Sequence, residues 1–253
     1  MILEKDILAD MHTHTLFSKH AYSTVKENIE VAKKRGLKYL AITDHYFCNG
    51  DNLDKKNEIN RINYLGERTN HCENSDFIVI PSAEFNLGQE IFTPNKLNNV
   101  VWRPIGLHNW FVDIDILTLD DIFNLFVEAY QNGHNAFVHI ERELHKVHKG
   151  IYSVEEIKEF LRKVVDFARE HDIWLEVNES TIITNECGSK SRLYHWLNYA
   201  KENGNKIYLG TDAHYCDEVG RFNNAISMLN EIDYPKELIL NCNLDTLDTL
   251  FKV

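Results

Sequence analysis

The residues best suited to chemistry are histidines and acids placed where apolar runs end. Ile7-Leu8-Ala9-Asp10-Met11-His12-Thr13-His14 is the first such run. In an extended backbone, residues two apart project from one face, so the imidazoles of His12 and His14 can reach a single metal ion. A lone His-x-His pair is a weak signal, but the construction recurs. Residues 39–45 end in Asp44 and His45, 77–84 in Glu84, 100–108 in His108, 135–139 in His139, 173–178 in Asn178, and 207–214 in Asp212 and His214; His20 stands in the first loop. These histidines, with Glu84 and Asp212, exceed the roughly three to five protein groups that one ion takes, so the set implies two or three ions. Imidazole mixed with carboxylate suits zinc, manganese or iron better than magnesium or calcium, which prefer oxygen throughout.

The elements that must carry these residues follow from local patterns. Thr24 with Glu27, Thr118 with Asp121, and Ser153 with Glu156 have the spacing of helix N-caps, the first and third as capping boxes. They open helices whose buried stripes are Val25, Ile29 and Ala32; Ile122, Leu125 and Ala129; and Ile157, Phe160, Leu161, Val164 and Phe167. Gly36 and Gly133 close the first two. A polar stretch, 49–57, leads into a helix reaching about residue 72 with Ile59, Ile62 and Leu65 inward, and 88–99 reads as a hairpin or excursion. A loop after residue 178 precedes a helix over about 192–203, and helices over about 218–229 and 244–251 complete the set. Seven strand-then-helix units argue for a parallel sheet, because each crossover helix returns the chain to the same edge. The expected fold is α/β, a distorted seven-stranded (β/α)7 barrel like a TIM barrel, forming one domain over residues 1–253. Parallel barrel strands end on one face, where residues distant in sequence converge.

Composition narrows the function. The 253 residues are 43% hydrophobic, enough for a full core, and the net charge is −12 with histidine neutral. That sign opposes general binding to nucleic acid or anionic membranes. A phosphate-bearing substrate then needs local positive charge, which bound cations would supply. Cys48, Cys72, Cys187, Cys216 and Cys242 are scattered, with no Cys-x-x-Cys pair, which points to reduced thiols in a cytoplasm. No apolar run approaches a membrane span, and Glu4, Lys5 and Asp6 precede any apolar stretch, so neither export nor membrane insertion is expected. The oligomeric state is not readable.

Asp10-Met11-His12-Thr13-His14, His20, Thr43-Asp44-His45, Glu84 and Asp212-Ala213-His214 together resemble the signature of the PHP (polymerase and histidinol phosphatase) family, and most closely its small stand-alone bacterial phosphatases. The resemblance spans essentially the whole chain. It implies a distorted seven-stranded barrel with a trinuclear centre of divalent ions, zinc foremost, with manganese or iron as alternatives. His12, His14, Glu84 and Asp212 would hold the first ion; Glu84 would bridge to a second held by His108 and His139; His20, His45 and His214 would hold the third. Glu84, Asp212 and His214 would also be the catalytic groups. Asp10 and Asp44 would accept from imidazole N–H groups and fix their tautomers.

The chain departs from those relatives in its loops. After the fifth strand it has His139-Ile140-Glu141-Arg142-Glu143 in place of a His-Pro turn, and His108 is followed by Asn109-Trp110-Phe111. Arg142, Lys146 and Arg192 are the loop cations placed to clamp a phosphate or an acidic substrate group, and Asn178 is a candidate hydrogen-bond partner of substrate. Trp110, Tyr46 and Phe47 follow ligands directly and could shape a leaving-group pocket. His71, His134, His171 and His195 fit ordinary places at helix ends or within a helix. His145 and His148 fit an exposed loop, and Cys216 fits incidental packing.

The expected activity is hydrolysis of a small phosphomonoester through attack on phosphorus by a hydroxide bridging two of the ions. A metal-dependent amidohydrolase also begins with His-x-His but usually adds a modified lysine, and no strand-end lysine is present. A non-catalytic metal-binding module would have eroded ligands, whereas every position is filled.

Overall fold

The computed structural model describes residues 1–47, 52–72, 76–89 and 100–252. Cys48, the start of the polar stretch at 49–51, and most of the expected excursion at 88–99 lie outside them. The strands are β1 (Ala9–Asp10), β2 (Tyr39–Ile42), β3 (Ile78–Pro81), β4 (Phe85–Asn86), β5 (Pro104–Gly106), β6 (Ala136–Phe137), β7 (Trp174–Asn178) and β8 (Ile207–Gly210). The helices are α1 (Val25–Lys34), α2 (Asn52–Cys72), α3 (Leu119–Gln131), α4 (Val154–Glu170), α5 (Glu179–Thr184), α6 (Ser189–Asn203), α7 (Asn223–Glu231) and α8 (Leu244–Phe251).

All strand pairs are parallel, in a three-stranded sheet β1-β2-β3 and a five-stranded sheet β4-β5-β6-β7-β8. The α/β class and the parallel sheet are as expected, but the seven anticipated strands are eight segments. The third expected strand stops at Pro81 and resumes at Phe85, because the backbone there changes partner from β2 to β5. Between them, Glu84 N donates to Thr43 O (3.1 Å), and His45 pairs with Glu84 as an isolated parallel bridge. At the other margin Met11 N donates to Leu209 O (3.3 Å), and Thr13 bridges to Ala213.

The strands are buried on both faces, and their period of two sorts the core into two clusters. Leu40, Ile42, Val79, Ile207 and Leu209 join the helices' inner faces in a large outer cluster. Ala9, Met11, Tyr39, Ala41, Ile80, Trp102, Ala136 and Tyr208 form a smaller one. There Trp102 meets Tyr208 edge-on at 4.8 Å and donates from Nε1 to Met11 O (3.1 Å).

The three expected caps are present as reciprocal boxes, Thr24 with Glu27, Thr118 with Asp121, and Ser153 with Glu156. In α3 the inward residues are Ile122, Phe126 and Ala129, with Leu125 only partly buried. The expected loop after residue 178 holds α5 instead, and α6 begins at Ser189, ahead of the expected start. No helix among the described residues is long and apolar enough to cross a membrane. Cys187, Cys216 and Cys242 are free.

Candidate metal centre

Every candidate ligand except His20, which lies in the loop after β1, follows a strand within four residues, so the parallel sheets deliver them to one place. His12 and His14 leave β1 with Thr13 turned the other way, its Oγ1 donating to Ala41 O at 2.6 Å. Glu84, at the junction of the two sheets, lies at the middle of the cluster. Its Oε1 lies 3.0 Å from both His108 Nε2 and His139 Nε2. Its Oε2 lies 2.8 Å from His45 Nδ1, 3.5 Å from His12 Nε2 and 3.6 Å from His14 Nε2. Asp212 Oδ1 is 3.1 Å from His14 Nε2, 3.6 Å from His12 Nε2 and 3.7 Å from His214 Nδ1. His20 Nε2 lies 3.3 Å from His45 Nε2, and the His20 ring stacks on His214 at 4.6 Å.

All nine expected ligands are therefore together, and apart from His20 and His214 they are buried. Their ligand atoms group as His12, His14 and Glu84; His45, Glu84 and His108; and His14, His45 and His214. The last grouping puts His14 where the family resemblance puts His20.

Proton bookkeeping shows that these residues fit cations. Glu176 can only accept, so His12 Nδ1 donates to its Oε1 (2.6 Å). Ser18 Oγ spends its proton on Asp44 Oδ1 (2.7 Å), so it accepts from His14 Nδ1 (2.9 Å). In their neutral forms both imidazoles turn an Nε2 lone pair toward the other, 3.0 Å apart, and toward Glu84 and Asp212. With both rings neutral these acceptors repel one another unless a cation stands among them. His45 Nδ1 and Glu84 Oε2 are likewise close yet not aligned for a hydrogen bond, and neither has another partner.

Electrostatics keep the carboxylates ionised. Burial works to raise Glu84 and Asp212, but the imidazoles around each, and Arg142 at Asp212, outweigh it and hold both well below the usual carboxylate range. Burial holds His14 well below the ordinary imidazole value. At His12 burial is overcome by Glu176, Glu84 and Asp212, which raise it. His139 (φ 27°) and Asp212 (φ 55°) both hold left-handed backbone, costly for residues with a Cβ. His139 N donates to Glu176 Oε2 (3.0 Å) and Asp212 N to His12 O (2.9 Å), which fixes them there.

Among the described residues the Asp10 carboxylate hydrogen-bonds no imidazole ring, contrary to expectation. Its carboxylate accepts from Thr211 N, Thr211 Oγ1, Gly220 N and His12 N, and burial lifts its pKa to about 6. Asp44 acts one step removed, accepting from Thr15 N, Thr15 Oγ1 and Ser18 Oγ. The carboxylate that does orient a candidate ligand ring, that of His12, is Glu176, which sequence reasoning missed. A charge inside the apolar run Leu175-Glu176-Val177 was the available signal. Gly210 was missed for a related reason: a Cβ there would collide with Glu176 Oε1 and His12 Cβ.

Among the expected substrate contacts, Arg142 reaches the centre, with Nη1 donating to Asp212 Oδ2 (2.8 Å). Arg192 is spent on the carbonyls of Glu141, Cys187 and Arg142, so it straps the loop after β6 to α6. Asn178 caps α5 through Thr181 N and donates to Glu176 Oε2, which uses both ends of its amide. Lys146 pairs with Glu143 (2.7 Å). Trp110 lies 5.4 Å from the His45 ring and 5.2 Å from His108, with Phe47 5.5 Å from Trp110, whereas Tyr46 is core, against Phe85.

Of the other histidines, His134 is buried and bonded to Arg103 O, His171 packs on Tyr130 and Phe167, and His145 lies 3.0 Å from Arg142 O. The side chain of His71 lies outside the described residues.

The sequence profile of the PHP domain matches residues 10–180, about two thirds of the chain. The chain belongs to the PHP family. A probable phosphatase of Caldanaerobacter subterraneus is 29% identical to this PHP chain over 244 residues, covering 94% of it and 89% of the relative. A histidinol phosphate phosphatase from Lactococcus lactis, solved in complex with Zn, L-histidinol and phosphate, superposes with a TM-score of 0.60 at 16% identity. That match covers 90% of this PHP chain and 94% of that one. A chain of an archaeal ribonuclease P, solved with mature tRNA, superposes with a TM-score of 0.56 at 13% identity, covering 96% and 89%. At such identities the two structures share the fold with this PHP chain.

Proposed function

We propose that the chain is a metal-dependent phosphatase hydrolysing a small phosphomonoester at a centre of three divalent cations, zinc foremost, with manganese or iron as alternatives. The observation that carries this reading is the convergence of His12 Nε2 and His14 Nε2, 3.0 Å apart, with the carboxylates of Glu84 and Asp212. His12, His14, Glu84 and Asp212 would hold one cation, Glu84 with His108 and His139 a second, and His20, His45 and His214 a third. The two sheets, bridged at His45–Glu84 and Thr13–Ala213, are then read as one distorted barrel in which β3 and β4 are a single broken strand. Residues 1–253 form one domain on this reading, working in the reducing cytoplasm.

When bound, the cations supply charge neutralisation for phosphoryl oxygens and acidify a water for attack on phosphorus. The chain's own residues set the stage. Glu176 and the Ser18–Asp44 pair lock the rings of His12 and His14 in one tautomer, so no reorganisation is needed as charge develops. Arg142 keeps one N–H on Asp212 and has others to offer a phosphoryl oxygen at the edge of the centre. Phe47 and Trp110 present apolar surface beside His45 and His108. Water is consumed, the P–O ester bond breaks, and the alcohol and inorganic phosphate leave. The net charge of −12 favours a small substrate over a polyanion such as RNA.

The test is turnover by metal-loaded protein on a panel of phosphomonoesters, phosphodiesters, amides and single-stranded RNA. Phosphomonoester turnover supports the reading. Turnover of amides alone, of RNA alone, or of nothing under zinc, manganese and iron would overturn it.

A further inference from the structure

A cavity of about 400 Å³ adjoins the centre, lined by Asp212 and His214, by Ile183 and Thr184 of α5, and by Arg221 from the turn before α7. The acids around it are already engaged by the protein. Glu179 accepts from Asn224 N (3.0 Å) and Ala225 N (2.7 Å) and thereby anchors the start of α7. Glu218 Oε2 accepts from His214 N (2.9 Å) and Tyr215 N (3.1 Å). Asp212 is taken by Arg142 and His14.

Arg221 differs from all of these. It is exposed, and its guanidinium makes no ion pair or hydrogen bond among the described residues, in a chain with 39 acids against 27 lysines and arginines. Its neighbour Arg35 is committed to the carbonyls of Asp217 and Val219. Ile183, 65% exposed, adds apolar surface on which a short carbon skeleton can lie. The cavity thus joins the metal centre at one side to a free cation at another, with a hydrocarbon wall between them.

We propose that this cavity receives the leaving group of the substrate, and that Arg221 selects leaving groups carrying an anionic substituent, a carboxylate or a second phosphate. The proposal rests on the phosphatase reading and narrows its substrate class. A planar fork of N–H donors suits either oxyanion, whereas a neutral hydroxymethyl group gains little from it.

The experiment compares kcat/KM of the metal-loaded wild type, Arg221→Gln and Arg221→Glu on three esters. These are the terminal phosphate ester of glycerate, propanediol bisphosphate, and the terminal phosphate ester of glycerol as the neutral reference. The readout is the selectivity ratio of each anionic ester over the reference, which general damage to the enzyme leaves in place. The ratio should fall at least about tenfold in Arg221→Gln and further in Arg221→Glu, mainly through KM. The ester whose ratio falls shows which oxyanion is recognised. A second readout, saturation-transfer NMR of glycerate and of propanediol monophosphate on the metal-free protein, should weaken in Arg221→Gln. Ratios unchanged within about twofold in both variants overturn this inference while glycerol phosphate turnover leaves the phosphatase reading standing. No turnover of any ester by the wild type overturns both.

Discussion

Glu176 Oε1 accepts a hydrogen bond from His12 Nδ1 at 2.6 Å, across 164 residues of chain, with both side chains fully buried. The contact sets the His12 tautomer and aims its Nε2 at the centre. Glu176→Gln keeps the shape but sets an amide N–H against the donor His139 N, which now bonds Oε2. Metal affinity, measured by chelator competition, should fall about 10–100-fold, the usual cost of losing a group that orients a ligand. Unchanged affinity would show that His12 needs no such support.

Gly210 leaves room for that contact. Gly210→Ala puts a methyl group where Glu176 Oε1 and His12 Cβ already are. Overpacking of this kind costs about 1–3 kcal/mol, and here the displaced groups include a proposed ligand, His12. We expect a lower melting temperature and weaker metal binding together. A loss of stability with full metal affinity would mean that the backbone, rather than the site, absorbs the methyl.

Arg142 shares Asp212 with the centre, so its removal should be felt in turnover more than in metal content. Arg142→Lys keeps the charge but loses the planar fork, and kcat/KM for a phosphomonoester should fall about 10–100-fold with the metal stoichiometry unchanged. Metal analysis beside steady-state kinetics checks this. Loss of metal in step with activity would make Arg142 a prop for Asp212 alone.

His134 gives a pH dependence that is independent of the ligands. Burial depresses its pKa from 6.5 to about 4, and its Nδ1 donates to Arg103 O. The unfolded chain therefore binds a proton between those values that the folded chain refuses, so stability falls as pH drops through that window. The contribution is at most about 3 kcal/mol. Asn at this position can keep the donor without titrating. His134→Asn should lose less stability than wild type between pH 7 and pH 4 in urea melts, and equal losses would contradict the assignment.

The candidate ligands other than His20 were legible because each interrupts an apolar run at its end, where a parallel strand must expose it. The caps at Thr24, Thr118 and Ser153 were legible because their partners lie three residues away. What escaped involves distant partners. Residues 77–84 read as one continuous strand, and only the change of partner from β2 to β5 breaks it. Arg192 looks like a free loop cation until the carbonyls of Glu141 and Arg142 come to it through the fold. Asn178 looks like a strand-end polar group, yet it is the cap of α5, whose start carries no separate signal. Glu176 hides because its neighbours are apolar and its partner is His12.

On the proposed function the nine side chains hold cations between them. Anomalous diffraction from zinc-loaded crystals, with metal content measured on the same protein and on His12→Ala, tests it most directly. Three peaks are expected within coordination distance, about 2.0–2.3 Å, of His12, His14, His20, His45, Glu84, His108, His139, Asp212 and His214, with reduced metal content in the variant. Peaks elsewhere, or none, with metal content the same in both proteins, would contradict it.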